Sequence, residues 1–274
     1  MAIATETILK TDGFTGYLAR PERAKGTLPA LLIIQEAWGV DAHIEDVTRR
    51  FAAAGYVALA PDLYAHAGMR PEPLSRERLA AVVAFLNEAG PSVMGDPQAR
   101  ARALEQRDEP ERIALSESLD RLSAVAFSGT HRDEHLAKVR AAAAYLRDER
   151  QETRGQKLGA VGFCMGGGLS GLLACRDPEL AAAVIFYGAP PPAAEIPAIR
   201  CPVLGFYGAQ DQRLMGQLPA LAAAMDAAGK SFQYHAYAGA GHAFFNDGRS
   251  SYDVDAARDA FARALTFLRQ ALAG

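Results

Sequence analysis

The stretch Lys157-Leu-Gly-Ala-Val-Gly-Phe-Cys-Met-Gly-Gly-Gly-Leu-Ser-Gly-Leu-Leu-Ala-Cys175 decides how the chain is read. Residues 157–163 are short and apolar and predict a strand; residues 165–175 predict a helix. Cys164 falls on the junction, with Gly162 two residues before it and Gly166 two residues after. A turn this tight strains the backbone of its central residue. Side chains at the flanking positions would clash, so glycine is needed there. The central side chain then stands above the sheet. The helix starting beneath it supplies positive potential and free backbone N–H groups, which favour a thiolate and stabilise an oxyanion. The plainer reading is a small buried cysteine in a glycine-rich turn. A phosphate cradle is disfavoured because no Lys-Ser or Lys-Thr follows the glycines.

Outward from this junction, strand and helix alternate. Ala30 to Ile34 is a continuous apolar run and predicts a strand buried on both faces. Residues 43–54 have helical spacing and stop at Gly55, a candidate C-cap. Tyr56 to Ala60 predicts a strand ended by Pro61. Leu180 to Tyr187, Pro202 to Tyr207 and Ser231 to Tyr237 predict further strands, and 215–228 and 252–271 predict helices. The opening residues Ala2 to Arg20 alternate around Thr11-Asp12-Gly13, which predicts an antiparallel hairpin at a sheet edge. Repeated strand–helix–strand units imply a mostly parallel central sheet with helices on both faces, and chemistry at the carboxyl ends of its strands. The stretch 62–130 breaks the rhythm. It carries helical segments at 76–89 and 110–126 and no strand. It reads as an insertion in a single domain spanning 1–274, either a lid over the site or extra helical surface.

A nucleophile needs partners, and a strand-end acid and a histidine follow Cys164 in the order required. Asp211 lies four residues past Tyr207, in Tyr-Gly-Ala-Gln-Asp. His242 lies after the last strand, in Ala-Gly-Ala-Gly-His-Ala-Phe. Asp247 and Asp253 are competing acids, but they follow the histidine. His43, His66, His131, His135 and His235 read as surface or structural side chains. His131 and His135 have an i, i+4 spacing that can bind zinc, but no third ligand is evident and no metal is expected. Glu36 ends a buried strand, so it is either at the site or paired structurally; the residue after it can present a second oxyanion N–H.

Composition narrows the classes. Half of the 274 residues are hydrophobic and 22% are charged, enough for a large core and against disorder. A net charge of −3 gives no basic footprint for nucleic acid or an anionic membrane. Three cysteines with no regular spacing argue against a disulfide framework. With no signal-like N-terminus and no long apolar run, a cytoplasmic protein is expected, and a monomer.

Five segments carry a family resemblance: Gln35-Glu36-x-Trp38-Gly39, Ala60-Pro61-Asp62-Leu63-Tyr64, Gly162-Phe163-Cys164-Met165-Gly166-Gly167, Tyr207-Gly208-x-x-Asp211 and Gly241-His242-x-Phe244. Together they resemble the dienelactone hydrolase family (carboxymethylenebutenolidase-like enzymes) of the α/β-hydrolase fold. The resemblance implies a Cys164–His242–Asp211 triad without a cofactor, and a hydrolase of lactones or small esters acting through an acyl-cysteine. It implies that Glu36 holds the thiol quiet until substrate frees it. It places the oxyanion hole at the N–H groups of Met165 and Ala37. Trp38, Tyr64, Arg70 and Phe244 become candidate substrate contacts. One departure bears on substrate. The arginine that such enzymes place four residues after the histidine is Asn246 here, and Arg249 lies three residues further on. The alternatives are a broad carboxylesterase or thioesterase on the same triad, or a non-catalytic binding protein of this fold.

Overall fold

The protein is described here from a computed structural model covering residues 2–10, 13–90 and 92–273. In chain order the elements are β1 (Ile3–Leu9), β2 (Thr15–Pro21), β3 (Ala30–Ile34), α1 (Ala42–Ala53), β4 (Val57–Asp62), α2 (Arg76–Ala89), α3 (Ser92–Gly95), α4 (Pro97–Leu104), α5 (Glu109–Leu122) and α6 (Arg132–Ala144). They continue with β5 (Leu158–Phe163), α7 (Met165–Arg176), β6 (Ala182–Phe186), β7 (Val203–Gly208), α8 (Gln212–Met215), α9 (Leu218–Ala227), β8 (Phe232–Tyr237) and α10 (Val254–Ala271).

The eight strands form one sheet in the order β1-β2-β4-β3-β5-β6-β7-β8. β1 and β2 pair antiparallel at one edge, and β2 meets β4 antiparallel; every other pairing is parallel. The predicted edge hairpin is therefore present, although Thr11 and Asp12 of its expected turn lie outside the described residues. All residues of β3, β5, β6 and β7 are buried. Helices on both faces demand this, and it is why these strands read as unbroken apolar runs. From β3 the chain winds one way to β4 and the other way to β5, so a crevice opens at the carboxyl ends of β3 and β5. Glu36 follows the first of these strands and Cys164 the second.

The flanking helices explain themselves locally. Asp41 caps α1 by accepting from the Ile44 N–H at 2.9 Å, and Gly55 follows its end with φ +101°. α10 buries Ala256, Ala260, Ala264 and Leu268, four positions spaced by four, along one stripe against the sheet. Among the described residues no helix is long and apolar enough to cross a membrane.

Four expectations need correction. β4 continues through Pro61 to Asp62, because pairing with β3 stops at Leu59 and the missing proline N–H is not needed on that side. The helix expected at 215–228 starts later, as α9 at Leu218, with Pro219 in its first turn; Met215 ends the separate short α8. The insertion runs past 130, since α6 also precedes β5; and the helix expected at 110–126 ends at Leu122, followed by a π-turn over Ser123–Phe127. Such turns break the regular side-chain period, so sequence spacing does not reveal them.

Candidate active site

The junction after β5 is as tight as its sequence demands. Cys164 has φ +52° and ψ −114°, a strained conformation for a residue with a side chain. A Cβ on Gly162 would sit 1.9 Å from the Gly166 carbonyl oxygen, and one on Gly166 would sit 2.2 Å from the Ile34 carbonyl oxygen. Tyr187 at the end of β6 and Ala243 beside His242 also have positive φ, 39° and 60°. Strained backbone thus gathers at the carboxyl ends of the central strands.

Cys164, His242 and Asp211 meet in one line. His242 Nε2 lies 3.3 Å from Cys164 Sγ, and its Nδ1 lies 2.7 Å from Asp211 Oδ2. The other Asp211 oxygen accepts from the Leu214 N–H at the start of α8, which fixes the carboxylate. The histidine loop reaches this place through Gly208 rather than through its own glycines. A Cβ on Gly208 would lie 2.2 Å from the Gly241 carbonyl oxygen, whereas one on Gly241 would meet nothing. The competing acids are engaged elsewhere: Asp247 pairs with His43 and Arg50, and Asp253 caps α10.

Burial pulls the His242 pKa down, but the Cys164 charge and the Asp211 hydrogen bond outweigh it and push it up to about 10. Asp211 moves the other way: burial raises it, and the bond to His242 brings it below the usual carboxylate value. A histidine pKa raised on folding stabilises the fold fully below its ordinary 6.5, and this contribution fades as pH climbs through about 10. The expected result, read by nitrogen-15 NMR of the imidazole, is titration near 10 in the native protein and a downward shift in Cys164→Ala, which removes the attracting charge. Titration near 6.5 in the native protein would contradict the ion pair. The other cysteines are inert by comparison, with burial pushing Cys175 up to about 11 and Cys201 to about 12.

Glu36 is placed differently from the implied thiol clamp. It is 1% exposed, and its two oxygens accept from the Tyr187 hydroxyl at 2.8 Å and the Asn246 amide at 2.7 Å. Cys164 is held by His242 instead. Burial, reinforced by the Glu36 charge, pushes the Tyr187 phenol well above its ordinary range, so it remains a donor. Tyr187 was not singled out from the sequence; only Gly188 beside it hints at a close approach, a Cβ there lying 2.4 Å from the Gly167 carbonyl carbon. Ala37 and Met165 stand at the ends of β3 and β5, and among the described residues neither backbone N–H has a partner.

None of the four candidate substrate contacts lines the cavity at Cys164. That cavity, about 190 Å³, is lined by Met165, Leu172, Pro190 to Pro192, and from the insertion by Val125, Phe127 and His135. Phe244 is fully buried against Tyr187 and Tyr237. Arg70 is tied to Asp62 at 2.7 Å and to the Val40 carbonyl, the pairing a buried guanidinium needs. Tyr64 is buried and donates to the Ala37 carbonyl at 2.8 Å. Lys138 Nζ donates to the carbonyls of Leu63 and Ala65 on either side of that tyrosine. Trp38 lines a larger cleft of about 770 Å³, shared with Asn246 and Arg249. The Arg249 guanidinium lies 5.0 Å above its ring.

A mostly parallel sheet whose winding order reverses at β3 and β5, with this elbow at the reversal, defines the α/β-hydrolase fold, and the protein is a hydrolase built on it. More narrowly, the chain belongs to the dienelactone hydrolase family, whose profile matches residues 14–272. A Saccharolobus solfataricus protein provisionally named a carboxymethylenebutenolidase is 33% identical over 97% of this chain and 98% of its own. One from Escherichia coli with the same provisional name is 29% identical, covering 94% of this chain and 83% of its own. A Klebsiella pneumoniae crystal structure provisionally described as a dienelactone hydrolase superposes with a TM-score of 0.71 at 28% identity, over 98% of this chain and all of that one. The Pyrococcus horikoshii acylaminoacyl peptidase shares the fold alone, with a TM-score of 0.63 at 12% identity, over 99% of this chain and 42% of its own.

Proposed function

We propose that the protein hydrolyses a lactone or small ester through an acyl-cysteine at Cys164. The observation that carries this is the continuous line from Sγ through the imidazole to Asp211, at 3.3 and 2.7 Å, on a strained elbow beside two unpartnered N–H groups. The Cys164 thiolate attacks the carbonyl carbon, and the oxygen takes the negative charge under the Met165 and Ala37 N–H groups. On collapse the C–O bond breaks and His242 Nε2–H protonates the leaving alkoxide, which stays tethered if the substrate is a lactone. His242 then takes a proton from water, whose oxygen attacks the thioester and releases the acid and the thiolate. Glu36, fixed by Tyr187 and Asn246, anchors the floor of the site rather than gating the thiol. The helical insertion acts as a lid, with its π-turn at the Cys164 cavity. The enzyme is taken as one domain, cytoplasmic and monomeric, working on a small molecule without a cofactor.

The test is chemical trapping. Acid quench during turnover of p-nitrophenyl acetate, followed by peptide mass mapping, is expected to find the acetyl group on Cys164. Acylation of another residue would overturn the reading. The apolar walls of the cavity also fit an uncharged ester, so broad carboxylesterase activity is the second reading.

Relatives carrying the carboxymethylenebutenolidase name point to a carboxylated lactone, and Arg249 is the side chain that fits its carboxylate. Its guanidinium has no acidic partner among the described residues, and both Glu36 and Cys164 act on it electrostatically. Arg249→Gln is expected to raise KM for a carboxylated dienelactone roughly 10- to 100-fold, the value of a charged hydrogen bond, while KM for p-nitrophenyl acetate stays level. Equal changes for both substrates would refute a carboxylate-binding role.

A further inference from the structure

The cavity at Cys164 is lined by two polar side chains that the reaction does not use, the buried His135 and the exposed Arg132. His135, on α6, reads from sequence as structural, yet it lines this cavity with Cys164 and Met165. It is 4% exposed. The rings of Tyr64 and His131 pack on it at 5.8 and 6.2 Å. Among the described residues neither of its ring nitrogens has a hydrogen-bond partner, and neither is sealed from solvent. Apart from Arg132 the walls around it are mostly apolar: Val125 and Phe127 from the π-turn, Leu172 from α7, and the proline run after β6. Burial, with the Lys138 charge nearby, lowers the His135 pKa to about 4. At neutral pH the ring is therefore uncharged, with one donor and one acceptor.

An unpartnered ring in such a place discriminates by what fills the cavity. Water satisfies it in the free enzyme. A wholly apolar substrate group displaces that water and leaves a buried nitrogen unpaired, which costs binding. A cationic group gains no opposite charge there, since the imidazole is neutral and Arg132 is itself a cation. We propose that His135 is a specificity residue that selects acyl groups bearing an oxygen (ether, hydroxyl or carbonyl) placed to hydrogen-bond its ring. This rests on Cys164 being the nucleophile only for deciding that the acyl end enters the cavity.

Two p-nitrophenyl esters that differ in one chain atom, the methoxyacetate and the butyrate, test it. The readout is the ratio of their kcat/KM values, each first divided by the ester's rate with hydroxide. Wild type is expected to favour the methoxyacetate. His135→Phe keeps a flat ring between Tyr64 and His131 and is expected to lower the ratio roughly tenfold; His135→Gln, which restores a polar group, is expected to recover part of it. A merely structural role would slow both esters together and leave the ratio unchanged, which overturns the proposal. A second measurement needs no turnover. In the Cys164→Ala background, ligand-observed NMR is expected to show tighter binding of methyl methoxyacetate than of methyl butyrate, and no preference once His135→Phe is added. Discrimination in binding without Cys164-dependent turnover would remove the nucleophile reading and retain this one. Cys164-dependent turnover with an unchanged ratio would remove this one alone.

Discussion

Cys164→Ala is expected to lower kcat on p-nitrophenyl acetate by roughly 10⁴- to 10⁶-fold, the scale on which loss of a triad nucleophile acts. The substitution deletes only Sγ. Cys164 is partly buried, and alanine is small enough for the elbow, so the variant should fold. What disappears is the atom 3.3 Å from His242 Nε2. Cys164→Ser should also lose most activity. A serine hydroxyl is a far weaker acid than a thiol, so it is not ionised beforehand and depends on His242 to take its proton as it attacks. Both variants are to be assayed continuously, beside their circular dichroism spectra. Full activity in the alanine variant would show that Cys164 is not the nucleophile.

Gly166→Ala is expected to prevent folding or to cost at least about 4 kcal/mol, the range reserved for severe steric conflict. A Cβ there would lie 2.2 Å from the Ile34 carbonyl oxygen and 2.4 Å from that of Gln35. Both neighbours are backbone of the β3 end, and the crevice at β3 and β5 gives neither anywhere to move. Gly168→Ala is the control, on the same helix and with the same chemistry. Its Cβ would meet only the Ala189 backbone, at 3.5 Å, an ordinary contact. Helix propensity alone predicts a gain of up to about 1 kcal/mol there. Thermal unfolding of the two variants should move in opposite directions. A soluble Gly166→Ala protein with a native melting temperature would show that the elbow is looser than the contacts imply.

The parts of the site that were legible in sequence are those in which a local rule leaves few choices. The glycines around Cys164 announce a turn that only a strand-to-helix junction needs. Asp211 and His242 are set by chain order, since each sits in the loop after a late parallel strand. β3, β5 and β7 were legible because burial on both faces leaves an unbroken apolar run. Pro61 was misjudged because whether a missing N–H breaks an element depends on what lies beside it. The surroundings of the candidate substrate contacts were less legible. Phe244, Tyr64 and Arg70 belong to conspicuous motifs, but a motif fixes a residue's address along the chain, not the direction its side chain faces.

The sequence by itself determined the order of strands and helices, the elbow and the three members of the Cys–His–Asp line, because each follows from the backbone geometry of a few neighbouring residues or from their order along the chain. Only the tertiary structure decided that Glu36 is gripped by Tyr187 and Asn246, 151 and 210 residues away, that a π-turn and His135 line the cavity at Cys164, and that Arg249 stacks on Trp38 in a separate cleft. Those are contacts between side chains brought together by packing from distant elements. Their energies depend on burial and on the partners found there, and neither is written in any local run of residues.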